Sequence, residues 1–458
     1  MRLSSIADAL CPTSLRPLLN RLEQSPLGKR IVSGTFWLVV GSGAAKAFGF
    51  LALLLTARIL ESKAFGEFEL VRSTANMFLV FAMFGMGTTA TKYVAEYLAT
   101  DKERVGRIIS LSYLFTTVVG GFISLLFYLF TPLLCEHVVQ TPHLVREMQF
   151  GAVVLFLAAF LTNQMWMIGG FQDFRGMAWA ELIAGFFKIP LYVGGAYFWG
   201  LKGVIVTFGL SLIVNIVLNV WIIGLNKRQY GIRNSYNSVL GELPVLWKFS
   251  LPSTLAGIIT MPALWICGVL LIRHYDGDTT EFGVYTAALQ IQLLLMYCPA
   301  MLVKVMLPMM CEAYGQKNWN RFRKLIVTNG VANIGTTVLI SLPFCLFSGT
   351  VMGFYGSGFT SGGNILIVFC LAAVTAGPDL VLTQVLTSQG RMWSVFGLNV
   401  IWVTALLTTT ILFLSLGYGG VALALGHLAA YLLRILTAVL YMVFYRQSNP
   451  LLSSLKNE

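Results

Sequence analysis

Long apolar runs separated by short polar stretches dominate this sequence. An α-helix needs about 20 mainly apolar residues to cross the hydrocarbon core of a bilayer. Twelve runs reach this length, so the pattern predicts an all-α integral membrane protein with twelve transmembrane helices. The stretches between the runs are too short for an extramembrane domain of useful size. The predicted spans, numbered 1 to 12, cover residues 33–59, 66–94, 106–133, 148–171, 177–199, 203–226, 249–273, 283–311, 323–349, 363–387, 393–416 and 420–445.

The composition supports a polytopic membrane protein. Of the 458 residues, 57% are hydrophobic and 11% are charged, whereas a soluble domain carries about 25% charged residues. The mean hydropathy is +0.77. The seven cysteines are scattered, mostly within apolar runs, and form neither a metal-ligand spacing nor a disulfide framework. We interpret them as small apolar residues and expect no metal site.

The distribution of Lys and Arg predicts the orientation in the membrane, because these residues accumulate in cytoplasmic loops. One set of loops, which includes both chain termini, holds most of them, so this set is expected to be cytoplasmic. Topology therefore explains most of the net charge of +12, and we expect no nucleic-acid partner. The few basic residues of the opposite set are Arg58, Lys63, Arg146, Lys202 and Arg273.

An internal repeat divides the chain into two similar halves. Four short segments recur in the same order at an offset of 216–217 residues. The pairs are FGEF at Phe65 with FGVY at Phe282, AEYLATDKERVGRII at Ala95 with CEAYGQKNWNRFRKLI at Cys311, FQDFRGMAW around Arg175 with TSQGRMWSV around Arg391, and GLKGVIV at Gly200 with GYGGVAL at Gly417.

The repeat unit contains six predicted spans, so both halves have the same orientation in the membrane. Parallel repeats of this kind are known from transporters and are related by an axis along the membrane normal. We expect two parallel six-helix lobes around a central cavity, and a carrier, with a channel or a scaffold as the alternative. The expected units are a cytoplasmic N-terminal segment (1–30), an N-lobe (31–226), a cytoplasmic linker (227–248), a C-lobe (249–446) and a cytoplasmic tail (447–458).

Eight ionisable residues fall at membrane depth, where charges are costly and usually face a cavity or one another. Their balance is basic, which favours an anionic group such as a phosphate or pyrophosphate, because Arg offers a fork of donors and Lys a point charge. The basic residues, expected to bind substrate, are Lys46, Arg72, Lys188, Lys304 and Arg434, and the acidic ones, expected as ion-coupling groups or counter-ions, are Glu69, Glu181 and Asp379.

Three of these cations have a structural alternative. Glu69 and Arg72 are three positions apart on one helix face and are spaced to pair with each other. Lys188 lies seven positions after Glu181, also on one face, so a long ion pair is an alternative to substrate contact. Lys304 is close enough to the inner end of its span to snorkel towards the membrane surface.

Lys46 and Arg434 differ from the other cations, because no acidic residue lies three or four positions away from either. The sequence neighbours of Lys46 are Gly, Ala and Ser, which leave room around its side chain, and His427 is only a weak local partner for Arg434. We expect both cations to contact substrate or cavity. Asp379 is either their counter-ion or a proton site, and the two readings remain open.

Several segments of the chain carry a family resemblance. They are LTARILESKAFGEFELVRS (Leu55–Ser73), FGMGTTATKYVAEYLA (Phe84–Ala99), the turn FRGM and the later segment GLKGVIV. With the twelve spans and the repeat, they resemble the polysaccharide biosynthesis and O-antigen flippases of the multidrug/oligosaccharidyl-lipid/polysaccharide superfamily. The resemblance implies two lobes in a V shape with spans 1, 2, 7 and 8 lining the cavity. Those spans carry Lys46, Arg72 and Lys304, whereas the other two cations lie outside them.

The resemblance implies transport of a lipid-linked substrate. In the bacterial cytoplasmic (inner) membrane, the chain would move undecaprenyl-pyrophosphate-linked oligosaccharide units from the cytoplasmic to the outer leaflet by alternating access. No cofactor is expected, and coupling to H⁺ or Na⁺ is left open. The expected partners are this substrate, membrane lipid, a polysaccharide polymerase and a chain-length regulator.

Two other functions are weighed against the flippase. An ion-coupled drug or metabolite antiporter of the same fold predicts an acidic cavity, and the basic balance argues against it. A membrane polymerase or glycosyltransferase needs a sizeable outer loop with catalytic groups, and only the segment CEHVVQTPHLVRE (Cys135–Glu147) carries such groups. We therefore expect no enzyme.

Replacing Lys46 tests the expected substrate contact. The Lys46→Ala variant is predicted to abolish the ability of the gene to restore surface polysaccharide export in a deletion strain while the protein level stays intact, because the proposed point charge for the anionic group is lost. Immunoblotting and staining of the surface polysaccharide provide the measurement. Normal polysaccharide in the variant strain would exclude the contact.

Overall fold

The computed structural model describes the backbone of residues 26–83, 86–233, 239–242 and 258–448. Within these ranges the regular secondary structure is entirely helical, which confirms the predicted all-α class. The helices are α1 (Pro26–Met83), α2 (Met86–Tyr97), α3 (Lys102–Val139, with two π-helical turns), α4 (Val145–Phe171), α5 (Phe174–Tyr230), α6 (Thr260–His274), α7 (Thr280–Leu295), α8 (Tyr297–Gly315), α9 (Trp319–Leu346), α10 (Ser348–Gly353), α11 (Gly363–Ser388), α12 (Met392–Ser415) and α13 (Gly420–Ser448).

Nine candidate membrane spans occur in the described ranges, by length and apolar composition, together with the shorter apolar helix α6. Twelve spans were expected from the sequence. The counts differ for two reasons. The long helices α1 and α5 each contain a sharp turn and so each hold two predicted spans, and the described part of predicted span 7 begins only at residue 258. Predicted span 8 divides into α7 and α8 at Met296, since Pro299 lacks the N–H that would bond to the Leu295 carbonyl.

Helix α5 doubles back on itself at Gly200, which has a left-handed backbone conformation (φ 57°, ψ −138°). The Ser211 hydroxyl lies 3.5 Å from the Tyr192 hydroxyl although 19 residues separate them. In a straight helix those residues would stand about 28 Å apart, at 1.5 Å per residue. The two arms of α5, residues 174–199 and 201–230, therefore run antiparallel.

Helix α1 bends at a single residue, Glu61, with φ 60° and ψ 176°. The rings of Phe50 and Phe65, one from each arm, both reach the ring pair Tyr355 and Phe359. The connection expected over residues 60–65 is thus reduced to one non-helical residue. We call residues 26–60 the first arm of α1 and residues 62–83 its second arm.

The two halves of the chain touch through a pair of glycines. A Cβ on Gly66 would overlap the carbonyl oxygen of Thr279, and a Cβ on Gly283 would overlap that of Ser62. Gly66 and Gly283 are 217 residues apart (283 − 66), as are Ser62 and Thr279 (279 − 62), which is the offset of the repeat. Reciprocal contacts between equivalent residues are what a two-fold relation produces.

Neighbouring contacts extend this close approach. The chain around Gly277, between α6 and α7, meets the carbonyl oxygen of Gln140 at the end of α3. A Cβ on Gly358, in the connection before α11, would lie 3.1 Å from the Ser62 hydroxyl. The turns on this side of the molecule therefore hold the two halves in backbone contact.

The glycine contact predicts a position-specific effect on stability. Gly66→Ala forces a methyl group into the backbone of α7, and overpacking of this kind costs about 1–3 kcal/mol, so the unfolding temperature of the purified protein should fall by a few degrees. Gly49→Ala, on the same helix with no atom within 4 Å of the added Cβ, is the matched control. An equal unfolding temperature for both variants would contradict the tight crossing.

Candidate functional site

A cavity of about 590 Å³ lies between the second arm of α1 and helices of the second half. The first half contributes Arg72 and Asn76 from α1. The second half contributes side chains of α6, α7, α8, α11, α12 and α13, including Trp265, Gln290 and Arg434. The cavity thus joins residues that are far apart in sequence and brings together two of the predicted cationic residues.

Arg72 faces this cavity with a buried carboxylate behind it. Its Nε lies 3.1 Å from Oε2 of Glu69 and a second guanidinium nitrogen donates to the same oxygen, which confirms that these residues pair. Gln290 on α7 donates from Nε2 to the other carboxylate oxygen at 3.1 Å. The Arg72 side chain is 28% exposed and that of Glu69 only 3%, so the guanidinium is the accessible member of the pair.

Arg434 on α13 also has a carboxylate behind it. Its Nε lies 3.2 Å from Oδ1 of Asp379 on α11, and its Nη2 donates to the Thr383 hydroxyl at 3.1 Å. The side chains are 12% and 4% exposed, respectively. Among the described residues, neither the Nε nor the Oδ1 atom makes a hydrogen bond of good geometry, so the contact is an ion pair at a poor hydrogen-bond angle. Asp379 therefore lies within ion-pair distance of Arg434.

The charge of the cavity is more balanced than the sequence suggests. Among the described side chains that line the cavity, Arg72 and Arg434 carry positive charge and Glu69 carries negative charge. Asp379 adds a second negative charge next to Arg434. A buried charge without a partner is costly, which accounts for a carboxylate beside each arginine. Each guanidinium still has donors left, because a guanidinium carries five N–H groups in a planar fork.

Lys46 and Lys188 belong to a second polar group beside the cavity, built from α1, α5 and α8. The Lys46 Nζ lies 4.9 Å from the ring centroid of Tyr297, a cation–π distance. The Ser42 hydroxyl donates to Oε2 of Glu181 at 2.7 Å. Lys188 is near enough to Glu181 and to the cavity arginine of α1 to interact electrostatically with both. This second group therefore continues towards Arg72.

The remaining predicted cation, Lys304, lies on α8, and its side chain falls outside the described residues. The structure thus brings two predicted cations into the cavity and places two others in the adjoining group. Arg434 is in the cavity although it lies outside spans 1, 2, 7 and 8, which the resemblance assigns to the lining.

Sequence reasoning missed the aromatic part of the wall. The rings of Trp402, His427 and Tyr431 line the cavity from α12 and α13. The centroid of Trp402 lies 5.9 Å from that of His427 and 5.8 Å from that of Tyr431. Aromatic residues are common throughout the apolar runs, so the sequence does not single out these three rings. The signal it offers for this cavity is Gln290, a polar residue within predicted span 8.

Comparison with protein families and characterised proteins identifies one matching family and a curated relative. A family model described as "Polysaccharide biosynthesis protein" matches residues 31–314. The "EPS I polysaccharide export inner membrane protein EpsE" of Ralstonia solanacearum is 25% identical over 194 residues, which is 42% of this chain and 43% of that protein. The alignment therefore spans less than half the length of this relative.

Solved structures share the fold of most of the chain. An inward-facing multidrug resistance MATE family transporter of the MOP superfamily superposes with a TM-score of 0.72 at 13% identity, covering 89% of this chain and 96% of that one. The lipid II flippase MurJ in an inward closed conformation has a TM-score of 0.70 at 15% identity, covering 88% and 87%. At these identities the likeness concerns the fold alone.

The Arg434–Asp379 pair predicts an asymmetric response to substitution. Asp379→Leu leaves a buried guanidinium without its counter-ion, and breaking such a pair costs about 3–5 kcal/mol. The double variant Asp379→Leu/Arg434→Leu removes both charges and should regain most of the lost stability. Thermal unfolding of the purified proteins measures this, and a double variant no more stable than the single one would contradict the pairing.

Proposed function

We propose that this chain, which belongs to the polysaccharide biosynthesis protein family, moves undecaprenyl-pyrophosphate-linked oligosaccharide units from the cytoplasmic to the outer leaflet by alternating access. The family match and the fold place it among the multi-pass membrane transporters of the MOP superfamily, and not among enzymes. The observation that carries the proposal is that Arg72 and Arg434, from opposite halves of the chain, line one cavity.

The pyrophosphate would bind by exchanging partners with the resident carboxylates. In the structure, Glu69 and Asp379 each lie within ion-pair distance of one of the two guanidinium groups. A pyrophosphate carries more charge and more acceptor oxygens than a carboxylate, and Arg forks match its geometry. When it binds, the two carboxylates lose part of their counter-charge. Uptake of H⁺ or Na⁺ by these acids would couple the exchange to an ion gradient.

Lys46 and Lys188 would assist the same anion from the adjoining group. Lys188 is near enough to Arg72 for their charges to interact, so both groups would act on the same anion. Glu181, which accepts a hydrogen bond from the Ser42 hydroxyl, would act as the counter-ion of these two lysines. We also propose Lys304, on α8, as a substrate contact.

The two-lobe architecture supplies the motion. Dividing α1 at Glu61 and α5 at Gly200, and including α6, gives twelve crossings, and we propose that they form an N-lobe (31–226) and a C-lobe (249–446). During transport the two lobes would separate at the glycine contact on one side of the membrane while they close on the other side. The linker 227–248 and both chain termini are proposed to be cytoplasmic.

The named relatives support the setting of this function. EpsE is described as a polysaccharide export protein of the inner membrane, and MurJ as a flippase of lipid II. We therefore place the chain in the bacterial inner membrane, with a polysaccharide polymerase and a chain-length regulator as partners.

A drug antiporter of the same fold is the second candidate. It is favoured by the pairing of each cavity arginine with a carboxylate and by the rings of Trp402, His427 and Tyr431. A largely apolar cavity whose charges are paired also accepts a lipophilic ligand. It is weakened by the second polar group, since Lys46 and Lys188 add positive charge beside the same cavity.

Removing the cavity arginines tests the proposal. Arg72→Gln and Arg434→Gln should each lower surface polysaccharide in a complemented deletion strain at least about tenfold, because a charge-assisted bidentate contact to phosphate is lost. Lipid-linked oligosaccharide should accumulate in the inner leaflet. Arg228→Gln, an exposed cation at the end of α5, is the matched control and should export normally.

Two outcomes would contradict the flippase. Normal polysaccharide in both variants at wild-type protein level would exclude the arginine site. Normal polysaccharide in the deletion strain, combined with lost resistance to lipophilic drugs, would favour the antiporter.

A further inference from the structure

One wall of the cavity combines aromatic rings with polar atoms that have no partner. Trp402, His427 and Tyr431, which we call the aromatic wall, form successive ring contacts along α12 and α13. Trp402 is only 6% exposed, and its Nε1 makes no hydrogen bond among the described residues. Indole N–H groups usually find a partner when buried, so an orphaned donor beside a cavity requires an explanation.

An acceptor beside the same cavity is also unsatisfied. Gln290 donates a hydrogen bond from its amide to Glu69, which fixes the orientation of the side chain, and its Oε1 has no hydrogen-bond partner in the described part of the chain. Gln290 is 8% exposed. A neutral His427 would add a second acceptor, because its Nδ1 bonds to the Leu423 carbonyl at 3.0 Å and must then carry the proton, leaving Nε2 as the acceptor.

This set of groups selects among ligand chemistries. A phosphate offers acceptors and no donors at neutral pH, so it cannot satisfy the Gln290 and His427 acceptors. A prenyl chain or a lipophilic drug can pack against the rings and satisfies no orphaned polar atom. A sugar ring presents hydroxyl groups, which both donate and accept, and an apolar C–H face that packs on aromatic rings.

We propose that the aromatic wall is a subsite for an uncharged sugar. This assignment rests on the proposed function, because the sugar would be the first residue of the same lipid-linked substrate whose pyrophosphate is held by Arg72 and Arg434. The Trp402 N–H donates to a sugar hydroxyl, the Gln290 carbonyl oxygen accepts from another, and Tyr431 packs on the ring face. The cavity thereby recognises two chemically different parts of one ligand.

Binding of two matched kinds of probe, without and with a sugar, separates the sugar subsite from the pyrophosphate site. The probes are geranyl pyrophosphate, which has no sugar, and geranyl pyrophosphates linked to glucose, galactose or N-acetylglucosamine. Affinities are measured by calorimetry on the full-length protein in nanodiscs. At least one sugar-linked probe should bind the wild-type protein several-fold more tightly than geranyl pyrophosphate.

The variants assign that gain to particular groups. Trp402→Phe keeps a ring and removes the N–H, so it should weaken the sugar-linked probe about three- to tenfold and leave geranyl pyrophosphate unchanged. Tyr431→Leu removes the ring face and should act in the same way. Arg72→Gln should weaken both probes. Trp393→Phe, on an exposed indole of α12, is the control and should alter neither.

Each failure has a distinct meaning. The subsite is overturned if the wild-type protein binds all probes equally, or if the two aromatic variants weaken both probes or neither of them. The proposed function survives that result as long as Arg72→Gln weakens both probes. If no probe binds the wild-type protein, both the subsite and the pyrophosphate site are rejected.

Discussion

A guanidinium inside a membrane protein needs a counter-charge, because neither hydrocarbon nor a protein interior solvates it as water does. This constraint organises the cavity. Arg72 is held by Glu69 and Arg434 by Asp379, and in each pair the carboxylate is the more buried member. The pairs keep two forks of donors exposed to the cavity, and a ligand must offer more than a carboxylate to compete for them.

The position of the cavity depends on how closely the halves approach each other. Gly66 and Gly283 allow backbone contact at equivalent points of the repeat, and any larger side chain would separate the helices. That contact aligns the second arm of α1 with α7, and so places Arg72 beside Gln290. One small-residue crossing therefore fixes the wall on which the first cationic site is built, and a rearrangement at this crossing would alter the site.

The sequence predicts contacts between residues that are close in the chain far better than contacts between residues that are far apart in it. The pairing of Arg72 with Glu69 follows from their i,i+3 spacing. Arg434 has no acidic neighbour on its own helix, and its counter-ion comes from α11, 55 residues earlier (434 − 379), a contact that only packing creates. The connection between spans 1 and 2 was expected over residues 60–65, but its reduction to the single residue Glu61 was not, because one residue in a left-handed conformation leaves no compositional signal. The ring of Tyr297 beside Lys46 likewise comes from the other half of the chain.

The most direct test of the account is a cryo-electron microscopy structure of the protein in nanodiscs with undecaprenyl pyrophosphate. The account predicts phosphate density against the guanidinium groups of Arg72 and Arg434, with Glu69 and Asp379 displaced from at least one of them. Headgroup density elsewhere, with both ion pairs unchanged, would contradict the claim that these paired arginines are the anion site.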